Sequence, residues 1–245
     1  MRYFLASADK LDPVEFAQRS GAVCALYPQA PELLKQGVHV ISTDEKTGIQ
    51  AIERAAPTLD MKPGQVQRQE FNYDRHGTLC LTANLEVATG QIIAPTIGPT
   101  RTEEDFVLHI AQTVATDPQG TWIFVTDQLN THRSELLVWL VMLLGGIVTD
   151  PGIKGQSGIL ESMASRQAFL EDPTHRIRFL YTPRHASWLN QVEIWFSILV
   201  RRALKRASFA STDELHQRLL AFIDYFNRTL AKPFKWTYQG TALAA

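Results

Sequence analysis

TPRHASWLNQVEIWFSILVRRALK, residues 182–205, is the stretch around which the rest of the chain is organised. Ser187 follows a loop that contains Pro183, and a serine in that position is suited to cap the backbone N–H groups at the start of a helix. Apolar residues then recur at helical spacing and predict one buried helix face: Trp188, Val192, Trp195, Leu199 and Ala203.

Glu193 lies within this apolar face rather than on a solvated side of the helix. It follows Leu189 by one turn and precedes Phe196 by about one turn. Burying a carboxylate is costly unless a cation or hydrogen bonds offset the loss of water. Two explanations are open: a salt bridge to Arg184, Arg201 or another basic group, or a chemical role shared with carboxylates elsewhere in the chain.

The composition is that of an ordinary globular protein. Of the residues, 20% are charged and 45% are hydrophobic. The length of 245 residues is enough for one large domain or two small ones. No apolar run approaches the roughly 18 residues that span a bilayer, and the longest, residues 136–148, contains two glycines. The N-terminus lacks a signal-peptide layout, and Cys24 and Cys80 form neither a disulfide framework nor a zinc motif. We therefore expect a cytosolic protein with reduced thiols and no membrane segment.

The net charge of −1 is lower than that of most proteins that depend on nucleic acid. The distribution of charge is more informative, because basic residues cluster after the Glu193 helix at Arg201, Arg202, Lys205 and Arg206. Cations are favourable near a helix C-terminus, so this cluster is either a solvated helix end or a patch that faces phosphates.

The first half of the chain predicts four strands, at residues 38–42, 65–73, 78–87 and 91–95. The first of them ends in Thr43, Asp44 and Glu45. Residues 74–77, DRHG, predict a hairpin turn, so this half of the sheet is expected to be antiparallel. Thr102 and the acids after it predict the start of a helix.

The second half predicts strands that alternate with helices. Residues 121–126 are almost continuously apolar, as in a strand buried on both faces, and end at Asp127. Further elements are expected at residues 161–170 (helix), 177–181 (strand) and 212–228 (helix). The helix after Asp127 has the predicted apolar face Leu136, Leu137, Leu140, Val141 and Leu144.

Three acids are candidates for a shared site: Asp44 and Asp127 after strands, and Glu193 on its helix. Ligands bind at the C-terminal ends of neighbouring strands in mixed α/β sheets. Carboxylates that converge there need a cation to stay ionised, and oxygen ligands favour Mg²⁺ or Mn²⁺. Each acid alone has a structural explanation as a turn or cap residue, so the spacing is a weak signal.

Local sequence adds a resemblance to a known family. Four blocks carry it: STDEK (residues 42–46), YDRHGT (73–78), VTDQLNTH (125–132) and YTPRHASWLNQVE (181–193). Two shorter blocks, LEVATG (85–90) and PFKW (233–236), support them. With these blocks the chain, from about Gly37 onward, resembles DDE-superfamily transposases, specifically the insertion sequence 630 family of the mariner-like group.

The resemblance implies a ribonuclease-H-like α/β fold. This is a mixed sheet flanked by helices, with an insert between the helix that follows the fourth strand and the fifth strand. It implies that Asp44, Asp127 and Glu193 bind two Mg²⁺ or Mn²⁺ ions. The implied activity is hydrolysis of a phosphodiester at the transposon end, followed by strand transfer of the 3′-hydroxyl into target DNA. DNA ends and target are the expected partners, with a homodimer in the active complex, in the bacterial cytosol or nucleoid.

The resemblance also suggests roles around the triad. Residues expected to support the acids or position DNA are Asn130, His132, His185 and Asn190. Residues expected to contact the DNA backbone are Arg184, Arg201, Arg202, Lys205 and Arg206.

The chain departs from the family pattern in three respects. Gln128 stands where the family usually has asparagine after the second acid. The interval from Asp127 to Glu193 is longer than the short family spacing, and residues 145–175 account for the excess. Relatives carry N-terminal helix-turn-helix modules, whereas here the chain begins almost at the catalytic domain.

We therefore predict three segments: a peripheral segment at residues 1–37, the catalytic domain at 38–232 with its insert at about 145–175, and a tail at 233–245. Two other functions stay open at this point. One is a ribonuclease-H-like nuclease that cuts without strand transfer. The other is a non-catalytic DNA-binding remnant of a truncated transposase.

Overall fold

A computed structural model of the chain describes residues 13–57, 59–68, 70, 72–205 and 207–238. The five strands are β1 (Val38–Arg54), β2 (Tyr73–Glu86), β3 (Ile92–Gly98), β4 (Thr121–Thr126) and β5 (Ile177–Tyr181). The α-helices of the described part are α1 (Pro13–Leu26), α2 (Ala30–Lys35), α3 (Glu103–Val114), α4 (Glu135–Gly145), α5 (Met163–Leu170), α6 (Val192–Leu199) and α7 (Thr212–Thr229).

The strands form one mixed sheet in the order β3-β2-β1-β4-β5. The β1–β2 and β2–β3 pairs are antiparallel, whereas β1–β4 and β4–β5 are parallel. The antiparallel pairing predicted for the first half is confirmed, but the strand predicted at residues 65–73 is wrong, because β1 ends at Arg54 and the next strand, β2, begins at Tyr73. The second half adds the parallel strands through helical connections. The predicted mixed sheet flanked by helices is the architecture observed.

β1 is much longer than the sequence predicts, and two expectations about it are wrong. The strand continues past Asp44 to Arg54, so Asp44 lies within the strand rather than at its end. Residues 74–77 do not form a turn, because they belong to β2, where Asp74 pairs with Glu53. This part of the β1–β2 ribbon is solvated, so its polar composition resembles that of a turn. Gly77, at φ +126°, supplies backbone freedom within the extended ribbon.

Helices cover both faces of the sheet. On one face, α6 and α7 pack over β1 and β2, and α1 packs over the β1–β4 end of the sheet. On the other face, α3, α4 and α5 pack over β1, β4 and β5. Side chains alternate between the two faces along a strand. In β1, Val40 therefore points to the α1 side and Ile41 to the α3 side.

The start of α6 differs from the prediction. Ser187 does not cap the helix; it begins a separate 3₁₀ turn, Ser187–Leu189, and α6 starts at Val192. Asn190 separates the two because its backbone is extended, at φ −83° and ψ 110°. Trp188, predicted to be buried, is 48% exposed, whereas Trp195 is fully buried.

The remaining helices agree more closely with the sequence. Thr102 caps α3 in a reciprocal capping box with Asp105, as its sequence predicts. In α4 the predicted face is only partly correct, since Leu137 and Val141 are fully buried but Leu136 is 36% exposed. Within the described residues, no helix is long and apolar enough to cross a membrane.

The predicted insert contains α5, and its Leu160 and Leu170 are buried in the core beside α4. Residues 13–37 contribute Val23 and Tyr27 to the core next to β1 and β4. Cys24 and Cys80 are buried free thiols.

The contrast between two tryptophans of the decisive stretch gives a test of this packing. We expect Trp195→Ala to lower the free energy of unfolding by about 3–5 kcal/mol, because it opens a cavity between α6 and α7. Trp188→Ala, an exposed residue that contacts Tyr238 by an edge-to-face ring contact, should cost about 1 kcal/mol or less. Urea denaturation followed by circular dichroism measures both, and equal losses would contradict the placement of α6.

Candidate active site

The parallel pairing of β1 and β4 brings Asp44 and Asp127 together. Ser42 is in register with Val125, and each acid lies two residues farther along its chain. Neighbouring parallel strands are about 4.8 Å apart, so the two acids occupy adjacent positions at one edge of the strand pair. Asp44 is 8% exposed, whereas the Asp127 side chain is 41% exposed. The structure thus buries Asp44 in the protein interior and leaves Asp127 partly exposed at the surface.

Asp44 carries an electrostatic penalty in this position. Burial raises the pKa of its carboxyl to about 7, and the nearby charge of Asp127 adds to the increase. Two donors partly compensate: the Glu45 N–H bonds Oδ1 at 2.8 Å, and the Asn190 Nδ2 group lies 3.3 Å from Oδ2. A cation beside Asp44 would relieve the same penalty.

Asp127 is held by a buried histidine. His132 Nδ1 lies 2.8 Å from Asp127 Oδ1, and His132 Nε2 lies 2.9 Å from Glu45 Oε1. Burial alone would lower the pKa of His132, but its hydrogen bonds to the two carboxylates and their charges raise it to about 10. The imidazole is therefore protonated at neutral pH and forms ion pairs with both acids, and its Nδ1 also lies 2.9 Å from the Thr126 hydroxyl oxygen. Burial alone would raise the pKa of Asp127, but the bond to His132 and its charge bring it below the ordinary value.

Asn190 connects the start of α6 to β1. Its side chain is fully buried and donates from Nδ2 to the Thr43 carbonyl oxygen at 2.8 Å. The Ser42 hydroxyl donates to Asn190 Oδ1 and accepts from the Val192 N–H at 2.8 Å. The Ser42 hydroxyl therefore accepts the backbone N–H of Val192 at the start of α6, and the Asn190 side chain ties the segment before α6 to β1.

Glu193 is positioned by this connection. Its N–H bonds the Asn190 carbonyl oxygen at 3.1 Å, one turn from the amide that touches Asp44. Its side chain is half-buried, and the structure shows no ion pair to it from Arg184 or Arg201. Arg206, which is expected to contact the DNA backbone, lies outside the described residues. The salt-bridge explanation of Glu193 thus gains no support from the arginines that are described.

The chemistry of the donor set fits a hard divalent cation. Asp44 and Asp127 present carboxylate oxygens, and the raised pKa of Asp44 marks a position where positive charge is favourable. In the ranges that the structure describes, no group of three or more His, Cys, Asp or Glu side chains is close enough together to hold a metal ion. The structure therefore pairs two of the predicted acids, and Glu193 as the third ligand stays a prediction.

A cleft of about 470 Å³ opens beside Asp127 and is lined by several other predicted residues. Asn130, Arg184 and His185 line it, and all three are exposed. His185 has φ +58°, a conformation uncommon for a non-glycine residue, and such strain is concentrated at functional sites. Gln128 also lines the cleft and donates from Nε2 to the Thr182 carbonyl oxygen at 3.0 Å. Its extra methylene relative to asparagine is thus used to reach the loop after β5.

The predicted basic residues after α6 lie elsewhere. Arg201, Arg202 and Lys205 are exposed and line a separate cleft of about 620 Å³ around a π-helical turn, Val200–Leu204. Arg218, which the sequence analysis did not single out, lines the same cleft. The two clefts share no lining residue, so the structure divides the predicted DNA contacts between two surfaces.

Glu45 is the residue of the site that sequence reasoning missed. Its side chain is 5% exposed and binds His132, whereas the predicted triad includes only its neighbour Asp44. Consecutive strand residues point to opposite faces, so Glu45 lies on the α3 side of the sheet. Two adjacent acids in a strand buried on both faces were the available signal.

The profile of the family described as "DDE superfamily endonuclease" matches residues 39–216. No curated protein matches the chain. Among solved structures, the Mos1 mariner paired-end complex with Mn has a TM-score of 0.54 at 13% identity. The alignment covers 92% of this chain and 58% of that one.

Two further structures show the same likeness. The Mos1 strand transfer complex has a TM-score of 0.53 at 12% identity, with coverage of 91% of this chain and 58% of that one. The Mos1 catalytic domain with Raltegravir and Mn has a TM-score of 0.51 at 10% identity, with coverage of 91% and 85%. These likenesses show the fold, which is the ribonuclease-H-like fold of the Mos1 catalytic domain. The chain spans somewhat more than half the length of the Mos1 chains in the complexes.

The raised pKa of Asp44 predicts how stability depends on pH without metal. The folded protein binds a proton at Asp44 more tightly than the unfolded chain, so this contribution is complete below the ordinary value of 3.8 and is lost as pH rises towards 7. Between pH 4.5 and 6.5 we expect it to cost about 2 kcal/mol, from about 1.4 kcal/mol per pH unit. The buried His109, whose pKa burial lowers to about 3, changes stability in the opposite direction across the same window in both proteins. Urea denaturation in EDTA should therefore show the Asp44 cost as the difference between the slopes of wild type and Asp44→Asn.

This window avoids the titration of His132, the histidine that pairs with Asp127. His132 contributes stability that is complete below 6.5 and is lost only as pH rises towards 10. Asp60→Asn, at an exposed aspartate, is the matched control and should keep the wild-type slope. Identical slopes in wild type and Asp44→Asn would show that the Asp44 carboxyl is not destabilised in the folded protein.

Proposed function

The chain belongs to the DDE superfamily endonuclease family, and from that premise we propose that it is a DNA transposase catalytic domain. Its proposed reactions are hydrolysis of a phosphodiester at a transposon end and strand transfer of the freed 3′-hydroxyl into target DNA. The observation that carries the proposal is the pair of Asp44 and Asp127, mutually repelling acids on adjacent parallel strands, within the matched region.

We propose that Asp44, Asp127 and Glu193 hold the two divalent ions, Mg²⁺ or Mn²⁺. Bound there, the ions would supply Lewis-acid stabilisation for the attacking and leaving oxygens of an in-line displacement. The protein's part is orientation. His132 fixes one oxygen of Asp127, and Asn190 donates to Asp44 while its backbone positions Glu193.

The two clefts provide places for DNA. Arg184 and His185 border the cleft beside Asp127, and their proposed role is to contact the strand being cut. Arg201, Arg202 and Lys205, with Arg218, form a second basic surface suited to the phosphate backbone. A homodimer in the active complex is part of the same proposal.

Nicking of supercoiled plasmid DNA by the full chain tests the hydrolytic step. We expect cleavage that requires Mn²⁺ or Mg²⁺ and falls at least about 100-fold in Asp127→Asn, because one carboxylate of the metal-binding set is lost. Asp60→Asn is the control at an exposed site. Equal nicking by wild type and Asp127→Asn would end the proposal.

Product analysis separates the proposed function from its alternatives. An oligonucleotide with a free 3′-hydroxyl, incubated with plasmid and Mn²⁺, should become covalently joined if the chain performs strand transfer. Cleavage of DNA or of an RNA–DNA hybrid without joining would indicate a nuclease. DNA binding without any metal-dependent cleavage would indicate a non-catalytic remnant.

The basic cleft yields a separate prediction. Replacing both Arg201 and Arg202 with alanine should weaken DNA binding and reduce the slope of log K against log salt by about two, because two phosphate contacts are lost. Fluorescence anisotropy over a range of NaCl concentrations measures this slope. Lys35→Ala, which removes an exposed cation that lines neither cleft, should leave it unchanged. An unchanged slope in the double variant would exclude this surface as the DNA-backbone site.

A further inference from the structure

We infer that Glu45 is a positioning residue of the active site: through His132, it fixes the orientation of the Asp127 carboxylate from the opposite face of the sheet. The inference rests on the proposed function for its catalytic meaning. Glu45 itself does not face the acids' side of β1, so it acts through another residue rather than on DNA or metal.

Residues on the two faces of β1 hold different parts of the site. Asp44 shares a face with Ser42, whose hydroxyl bonds Asn190 at the start of α6. Glu45, one residue later, points to the other face and reaches His132. β1 thus contributes one acid to the site and, directly behind it, the acid that fixes the second.

His132 is confined in a way that transmits this contact. Its side chain is fully buried, and its ring packs 4.2 Å from the Phe106 ring of α3. The Tyr181 hydroxyl donates to its carbonyl oxygen at 2.6 Å. With the ring plane and backbone both fixed, a bond at Nε2 to Glu45 determines where Nδ1 lies. Nδ1 then lies 2.8 Å from Asp127 Oδ1 and 2.9 Å from the Thr126 hydroxyl oxygen.

The effect on Asp127 is selective between its two oxygens. Oδ1 lies 2.8 Å from His132 Nδ1 and accepts a hydrogen bond from the Leu129 N–H at 2.9 Å. No described residue donates a hydrogen bond to Oδ2, so that oxygen is available to another partner. Without Glu45, the buried Nε2 of His132 loses its hydrogen-bond acceptor. An unsatisfied buried donor is costly, so we expect the ring to shift away from Asp127.

The same fold contains a matched control at the other end of β1. His39 bridges two carboxylates as His132 does, with Nδ1 at 2.7 Å from Glu86 and Nε2 at 3.2 Å from Asp117. The Glu86 side chain is also 5% exposed, and His39 stacks on Trp122 at 4.1 Å. Removing Glu86 therefore breaks a comparable buried bond at a distance from the acids.

The test compares Glu45→Ala, Glu45→Gln and Glu86→Ala in the full chain. We expect both alanine variants to lower the melting temperature by a similar amount. Only Glu45→Ala should weaken Mn²⁺ affinity, by about 10-fold or more as measured by electron paramagnetic resonance titration, because loss of a partner to a ligating carboxylate typically has this effect. Glu45→Gln retains an acceptor oxygen and should show an intermediate loss.

A readout without metal separates this inference from the proposed function. In wild type, the His132 ring N–H proton that bonds Asp127 should be visible downfield in the proton NMR spectrum, and it should disappear in Glu45→Ala but persist in Glu86→Ala. If wild type neither binds Mn²⁺ nor nicks DNA, the proposed function fails, and this proton alone decides whether Glu45 orients His132. The inference is overturned if the proton persists in Glu45→Ala, or if that variant binds Mn²⁺ as tightly as Glu86→Ala.

Discussion

The register between β1 and β4 sets the central constraint of this structure, because it brings two carboxylates to neighbouring positions. Asp44 is buried and Asp127 is close enough to raise the pKa of Asp44 further. Charges placed this way are unfavourable unless other groups compensate. The surrounding polar groups make sense as that compensation: backbone N–H groups at both acids, the Asn190 amide at Asp44 and the His132 imidazole at Asp127.

The groups that compensate the charges of Asp44 and Asp127 come from both faces of the sheet, so the site depends on the packing of both layers of helices. Asn190 reaches Asp44 from the start of α6, on the face that α6 and α7 cover. His132 reaches Asp127 from the face that α3 and α4 cover, where Phe106 and Glu45 confine it. Each core therefore positions one acid. The exposed part of Asp127 and the half-buried Glu193 remain on the accessible side.

Much of this arrangement could be predicted from local sequence, where local physics decides it. The apolar run of β4, the capping box of α3 and the amphipathic pattern of α7 are short-range signals, and each element was found where it was predicted. The mixed sheet came from the resemblance together with the order of the elements. Pairing between strands that are distant in sequence was harder to predict. Residues 74–77 have turn composition, yet they stay extended because β1 pairs with them.

The site residues show the same division. Asp44 and Asp127 were predicted to meet, and they do, but Asp44 does so from within a strand rather than from its end. Asn190 was predicted to be near the triad, but its bonds to Ser42 and Thr43, far away in sequence, could not be predicted. Glu45 was overlooked because its role depends on His132, and only tertiary packing brings them together. Adjacent acids on a buried strand are thus best read as a pair with different tasks, since the sheet separates them onto opposite faces and gives each its own partners.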